Sequence, residues 1–451
     1  MKRLLILISL LFSFTAQATE RLEFSLHKLE SGQPGPTILV VGGIQGDEPG
    51  GFHAASLLVT NYKVTKGNIW IVPNLNFESI ISRSRGVHGD MNRKFDAVGQ
   101  NDPDFQAVER IKELIIDPQV DMVFNLHDGS GFYRPKHTDW LHSPQRWGQS
   151  IIIDQEQLDV ERFSDVGILS RQVADKVNGH LLDKEHMYRV KNTKTRQGNK
   201  EMAKTLTYFA INNGKSAVGI EASKNLPTHE RVYYHLQVVE SFLETVGVEL
   251  ERDFKLHPAY VKNTIDNNLQ IAFYENKLML DVTKPRSRIN YVPLQKDADL
   301  DFSTSNPLVA VTNRGGSFRV NYGNRRLTRL HPQYFEYDTS LESITINADG
   351  DLREVPLGSM LQVNKQFEIT PQDGYRVNVI GWKKSGVTSE AGHPISKTKI
   401  SKRFSVDRDG NIFRIEVYKD EKFSGMVLVN FGEPSSDDKL TGKLPKVAGK
   451  S

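Results

Sequence analysis

Thr37-Ile38-Leu39-Val40-Val41-Gly42-Gly43-Ile44-Gln45-Gly46-Asp47-Glu48-Pro49-Gly50 is the stretch that decides the fold. Its first five residues run without the apolar–polar alternation of a half-exposed strand, which predicts a strand buried on both faces. Two glycines follow and permit a sharp turn. Residues 48–60 then read as a helix. Strand, tight turn and helix in that order open an α/β unit.

The same rhythm continues downstream. Asn68–Val72 reads as a second strand and 120–126 as a third. Between them, residues 104–116 place Phe105, Val108, Ile111, Leu114 and Ile115 on one helical face. A helix is expected over 163–182, a fourth strand over 216–220 and a closing helix over Thr228–Val246. The expected fold is α/β, a mixed, mostly parallel sheet flanked by helices over residues 19–248. After residue 248 short alternating segments take over, with turn signals between them. Ala348-Asp349-Gly350 and Asp409-Gly410-Asn411 read as hairpin turns. A β-rich domain is expected at 249–338 and an immunoglobulin-like β-sandwich at 339–434. The tail at 435–451 is polar and rich in Lys and Gly, and is expected to be disordered.

The 451 residues carry 58 Lys+Arg against 55 Asp+Glu. A nucleic-acid-binding protein needs a basic excess that this balance lacks. The chain has no cysteine, which excludes disulfides, thiol nucleophiles and thiolate metal sites. Lys2 and Arg3 precede an apolar run at 4–14 and a small-x-small site, Ala16-Gln17-Ala18. This pattern predicts a signal peptide, residues 1–18. The run is short for a membrane span, and no later stretch is longer. A periplasmic protein with no membrane span after cleavage is expected.

Gln45 and Glu48 lie three apart where the first helix begins, a spacing that lets both side chains converge on one point. Taken alone, this fits equally well an acid that stabilises a helix N-terminus. Phe124-Asn125-Leu126-His127-Asp128-Gly129 leaves the third strand for a glycine-rich loop. Ligands of open α/β sheets bind at the carboxyl ends of strands, so His127 is placed with Gln45 and Glu48. A catalytic zinc site keeps three protein ligands and one open position. Glu221 ends an apolar run at 217–220 and cannot be ordinary surface. It reads either as a general base for hydrolysis or as a buried carboxylate paired with an arginine. Arg85 and Arg93, on the loop between strands two and three, suit bidentate capture of a terminal carboxylate, with Asn92 as hydrogen-bond partner. The bland reading of that loop is a solvated basic segment.

In this order, Gln45-x-x-Glu48, Asn92-Arg93, His127 and Glu221 resemble the M14 metallocarboxypeptidases over residues 36–246. That family has His-x-x-Glu, an Asn-Arg pair, a later metal His and a catalytic Glu. The departure is Gln45, since a neutral amide is a poorer zinc ligand than imidazole. With a signal peptide and two C-terminal β domains, the chain looks like the cell-shape-determining DL-carboxypeptidases of helical epsilon-proteobacteria, which share a Gln-Glu-His site. The resemblance implies a Zn(2+) enzyme that releases meso-diaminopimelate from the peptidoglycan muramyl tripeptide, so that trimming influences cell shape. Arg85 and Arg93 would take the terminal carboxylate. Lys224, or the 204–207 segment through Thr207, would take the distant end of the substrate, and Trp147 would wall the pocket. Two other readings stand beside this one. The first is a zinc deacylase of the succinylglutamate desuccinylase/aspartoacylase type. The second is a non-catalytic wall-binding protein.

Overall fold

The structure is a computed structural model, and it describes residues 22–433. The expected signal peptide at 1–18 and the tail at 435–451 lie outside the described residues.

Seven strands form the central sheet: β1 (His27–Glu30), β2 (Thr37–Val41), β3 (Asn68–Val72), β4 (Met122–Gly129), β5 (Ser150–Ile153), β6 (Arg189–Asn192) and β7 (Ser216–Ser223). Their order is β1-β3-β2-β4-β7-β5-β6. The four central strands, β3, β2, β4 and β7, are mutually parallel. β1 runs antiparallel to β3, and β5 antiparallel to β7. Every residue of β2, β4 and β7 is buried, as their unbroken apolar runs require. One face is covered by α1 (Pro49–Asn61), α4 (Val166–Asn178) and α6 (Thr228–Val246), the other by α3 (Phe105–Ile116) and α5 (Leu206–Asn212). The edge strands β1 and β6 are short and carry polar residues, which hid them from a reading based on apolar runs, and β5, though apolar in Ile151–Ile153, is only four residues long.

Two strands are longer than expected. β4 continues through Gly129 and β7 through Ser223, so His127 and Glu221 sit within strands and not in loops beyond them. Ladder hydrogen bonds therefore fix both backbones. The first helix starts one residue later than expected, with Glu48 as its N-cap residue and Pro49 in its first turn.

Beyond residue 248 the chain does not leave this layer at once. Glu249–Arg252 pairs with Tyr62–Lys66, and a helix at Pro258–Asp266, absent from the sequence reading, packs on α6. A three-stranded and a four-stranded sheet follow. Their core is continuous with that of the first unit. Ser56 Oγ donates to Asn306 Oδ1 at 2.9 Å, and Asn74 Nδ2 to the Pro307 carbonyl at 3.2 Å. Two further four-stranded sheets then enclose a separate core that includes Ile346, Phe367, Ile369, Ile415 and Val427. The turn at Asp349-Gly350 joins Ser343–Ala348 to Asp351–Pro356 as expected. The turn at Asp409-Gly410 does not join two strands. A 3-10 turn at Lys402–Phe404 precedes it, and the hairpin is formed instead by Ile412–Lys419 with Lys422–Asn430. Among the described residues, no helix is long and apolar enough to cross a membrane.

Candidate active site

The parallel strands bring their carboxyl ends to one edge of the sheet, and the site is assembled there. After β2 the chain turns through Gly46, where a Cβ would fall 2.0 Å from the Ser79 backbone. Only glycine lets the turn press this closely against α2 (Phe77–Ser82). Gln45 therefore lies in a turn ahead of the helix. The Glu48 N–H donates to the Gln45 carbonyl at 3.3 Å, and this turn, not helical spacing, makes the two side chains converge. The Glu48 side chain does not cap the helix. Its Oε2 lies 2.9 Å from His127 Nδ1 and accepts from the Asp128 N–H at 3.2 Å.

Gln45 Oε1 lies 3.2 Å from the same His127 Nδ1. The Gln45 amide is oriented by Asp90, whose Oδ1 accepts from Nε2 at 2.7 Å, so the carbonyl oxygen is the end that faces His127. Asp90 was not singled out in the sequence. Burial alone would raise its carboxyl, but the Gln45 hydrogen bond and the Arg85 and Arg93 charges outweigh that and hold it below the ordinary range. Gln45, Glu48 and His127 are all buried. A tetrahedral ion with ligand bonds of ~2.1 Å holds its donor atoms ~3.4 Å apart. The two spacings to His127 Nδ1, 3.2 Å from Gln45 Oε1 and 2.9 Å from Glu48 Oε2, are near that value.

Glu221 stands beside this cluster, directly across the β7–β4 ladder from His127. It is buried, and among the described residues no arginine pairs with it and its Oε2 has no hydrogen-bond partner. Burial pushes its carboxyl up to about 8; His127 and Lys224 pull it down in part, while Glu48 and Asp128 push it further up. A carboxylate poised in this way, in a cleft beside a cation-sized cluster, is suited to moving a proton near neutral pH.

The remaining residues surround these four. Arg85 reaches Glu48 Oε1 at 3.5 Å and Asp90 Oδ2 at 3.0 Å. Lys224 pairs with Asp47 at 2.7 Å and Glu48 Oε1 at 3.3 Å, beside the cluster itself. Oε1 of Glu48 thus faces two cationic side chains while Oε2 faces His127. Asn92 Nδ2 lies 3.3 Å from His127 Nε2, and Asn92 Oδ1 accepts from the Leu206 N–H at 3.0 Å, tying the arginine loop to the start of α5. Arg93 is half-buried and 3.6 Å from the exposed Glu201. Thr207 is buried in the first turn of α5, with its hydroxyl 3.1 Å from that of Thr205.

Trp147 sits on the loop before β5, where Ser150 pairs with Glu221. A Cβ on Gly129 would lie 2.5 Å from the Trp147 Cβ, so the loop is packed directly on β4. Lys191 organises this loop. Its Nζ lies 3.8 Å from the Trp147 ring centroid and donates to the carbonyls of Pro144 and Arg146 at 3.0 and 2.8 Å. A lysine on a short edge strand gives no signal in sequence. The same holds for Asp128, whose buried carboxylate holds Arg231 at 2.9 Å, His235 at 3.1 Å and the Gly50 N–H at 2.8 Å, bracing α1 and α6 behind the site.

A family model described as the catalytic part of a carboxypeptidase controlling helical cell shape matches residues 1–266. A second, for the C-terminal domain of a metallo-carboxypeptidase, matches residues 337–432. The chain is similar to the cell shape determinant protein Csd4 of Helicobacter pylori in its apo form. Identity is 38%, with 91% of this chain and 100% of that chain covered, at a TM-score of 0.82. The tripeptide-bound form of Csd4 gives the same values. The mDAP-bound form, described as a D,L-carboxypeptidase, is 40% identical over 88% of this chain and 97% of that chain, at a TM-score of 0.81. Among curated proteins none matches.

Proposed function

Because the chain belongs to the family of carboxypeptidases that control helical cell shape, we propose that it is a periplasmic, zinc-dependent D,L-carboxypeptidase that trims the peptidoglycan muramyl tripeptide to the dipeptide. The product released is meso-diaminopimelate. The observation that carries this reading is the convergence of Gln45 Oε1 and Glu48 Oε2 on His127 Nδ1 beside the unpartnered oxygen of Glu221. The tripeptide and mDAP bound by Csd4 supply the substrate class. The periplasmic location rests on the signal peptide read from the sequence.

Gln45, Glu48 and His127 would hold the zinc, which when bound supplies Lewis-acid polarisation of the scissile carbonyl and the attacking water. Glu221 takes the proton from that water and passes it to the leaving amine. Arg85 lies next to Glu48 and stabilises negative charge developing on the carbonyl oxygen. Arg93, with Asn92, receives the terminal carboxylate, for which a planar guanidinium is suited. Lys224, through its contacts with Asp47 and Glu48, bears on the cluster as well as on substrate. Trp147 and Thr207 border the pocket on the loop before β5 and on α5.

The test is mass spectrometry of products from purified muramyl tripeptide and, separately, from N-acyl amino acids, with and without a chelator. Release of diaminopimelate from the tripeptide alone, abolished by the chelator, is the expected result. Cleavage of the N-acyl amino acids with no tripeptide turnover would overturn the reading in favour of a deacylase. No turnover of either substrate by zinc-loaded protein would overturn it in favour of a wall-binding role.

A further inference from the structure

The four-stranded sheet of the middle unit carries arginines with no acidic partner among the described residues. In its register Arg319 lies directly opposite Arg329. Ile289 pairs with Leu330, so Arg288 takes the register position beside Arg329 on the next strand. Arg314 stands in the turn before Phe318–Tyr322, and Arg326 lies near the start of Arg325–Phe335. Among the described residues, none of these five forms an ion pair, and Arg319 Nε has no hydrogen-bond partner. Arg325 differs, being held 2.6 Å from Asp266.

Like charges placed directly across a ladder repel. The Arg319 guanidinium is lowered below its ordinary range by partial burial and by the charges of Arg314, Arg326 and Arg329. The sheet carries this repulsion because its other face is anchored by Val320 and Leu330, both fully buried. The repulsion is relieved when anions sit among the guanidiniums. Next to the paired arginines on that face stand Thr312, opposite Arg319, and His331, two residues beyond Arg329. Neither is a large apolar side chain of the kind that enters a lipid surface.

The hairpin that carries the patch touches the loop of the active site. Asn324, at the tip of the hairpin that carries Arg319 and Arg329, accepts from Arg83 Nε at 2.6 Å. Arg83 stands two residues before Arg85, on the arginine loop of the site. We propose that Arg288, Arg314, Arg319, Arg326 and Arg329 form a docking surface for the carboxylate-bearing stem peptides of intact peptidoglycan, holding the polymer while one stem enters the site. Guanidinium is matched to carboxylate, and a wall polymer presents carboxylates repeatedly along its length. This deepens the proposed function and rests on it for the identity of the polymer.

The experiment compares the full chain with Arg319→Gln/Arg329→Gln. Both are sedimented with purified sacculi in the presence of a chelator, so binding is read without turnover, and both are assayed on soluble muramyl tripeptide. Wild-type binding should weaken as salt is raised, since Arg288, Arg314 and Arg326 of the patch are exposed. The double variant should bind sacculi about tenfold more weakly, as expected for the loss of two partly exposed charge pairs. Its kcat/KM on the soluble tripeptide should be unchanged. Its thermal midpoint should not fall, since a repulsive pair has been removed. Unchanged sedimentation, or equal losses on sacculi and soluble tripeptide, would overturn the proposal. So would tighter wild-type binding to anionic phospholipid vesicles than to sacculi. If the wild type fails on the soluble tripeptide, the catalytic reading falls while the sedimentation result still stands.

Discussion

Glu221 and His127 are register partners on adjacent parallel strands, buried side by side at the carboxyl edge of the sheet. Because both backbones belong to the ladder, their separation is set by strand pairing and not by loop conformation. The ligand cluster can therefore persist when Glu221 is changed. Glu221→Gln should leave zinc affinity unchanged and lower tripeptide turnover by about 10²–10⁴-fold, the range expected for loss of a positioned proton-transfer group. Metal content and kcat measured on the same preparation check this. Wild-type turnover in the variant would reject Glu221 as the base.

Asp90 is a positioning residue for Gln45. Its carboxylate holds the amide nitrogen, and without that hold the amide can rotate and turn its N–H groups toward the cation that the proposed site would hold. Asp90→Ala should weaken zinc binding by roughly 10–100-fold, the usual effect of losing a partner that orients a ligand. Asp90→Asn keeps an accepting oxygen and should retain more affinity. Gln45→His should bind zinc more tightly than wild type, because imidazole is the stronger donor. Competition with a chromophoric chelator gives all three affinities. A Gln45→His protein with unaltered affinity would remove Gln45 from the ligand set.

Much of the site was legible because its chemistry falls on sequence-visible features. His127 and Glu221 follow apolar runs that announce buried strands, and Gln45 and Glu48 flank a glycine turn. Asp90 was hidden because its role depends on a contact 45 residues away in sequence. Lys191 was hidden by its place on β6, a four-residue edge strand without an apolar signature. Lys224 reads in sequence as a candidate for the distant end of the substrate, but its contacts with Asp47 and Glu48 depend on how β7 meets the first turn, which no local pattern encodes. The helix at Pro258–Asp266 escaped for a related reason. It buries only Val261 and Ile265, too few apolar positions to stand out among the surrounding strands.

Lys191 should act on substrate binding more than on the chemical step. It ties the Pro144 and Arg146 carbonyls and sits over the Trp147 ring, but it does not touch the ligand cluster. Lys191→Met removes two hydrogen bonds and two cation–π contacts, to Trp147 and Tyr133, together worth about 2 kcal/mol of loop order. The expected outcome is a several-fold rise in KM for the tripeptide, a smaller change in kcat and an altered Trp147 emission. Lys191→Arg should restore part of the KM. A variant whose kcat falls while KM and emission stay fixed would show that this loop does not border the pocket.

His53 should make the protein acid-sensitive. It is buried at 2% exposure between Phe52 and Tyr322, its Nδ1 has no partner among the described residues, and burial together with the Arg325 charge pushes its imidazole down to about 3. In the unfolded chain it titrates near its ordinary value of 6.5. Between these values the unfolded state binds a proton that the folded state refuses, so stability rises with pH across the window. The stabilisation is fully present above pH 6.5 and is lost as pH falls toward 3. The slope approaches ~1.4 kcal/mol per pH unit once the unfolded imidazole is protonated. His53→Leu removes the titrating group, and the cost of the altered packing should be independent of pH. Urea unfolding of both proteins at several pH values from 7.5 to 4.5 should therefore show the wild type losing its advantage as pH falls. Parallel stability curves would mean that His53 is protonated in the folded state, and that the contact of α1 with Tyr322 tolerates a charge.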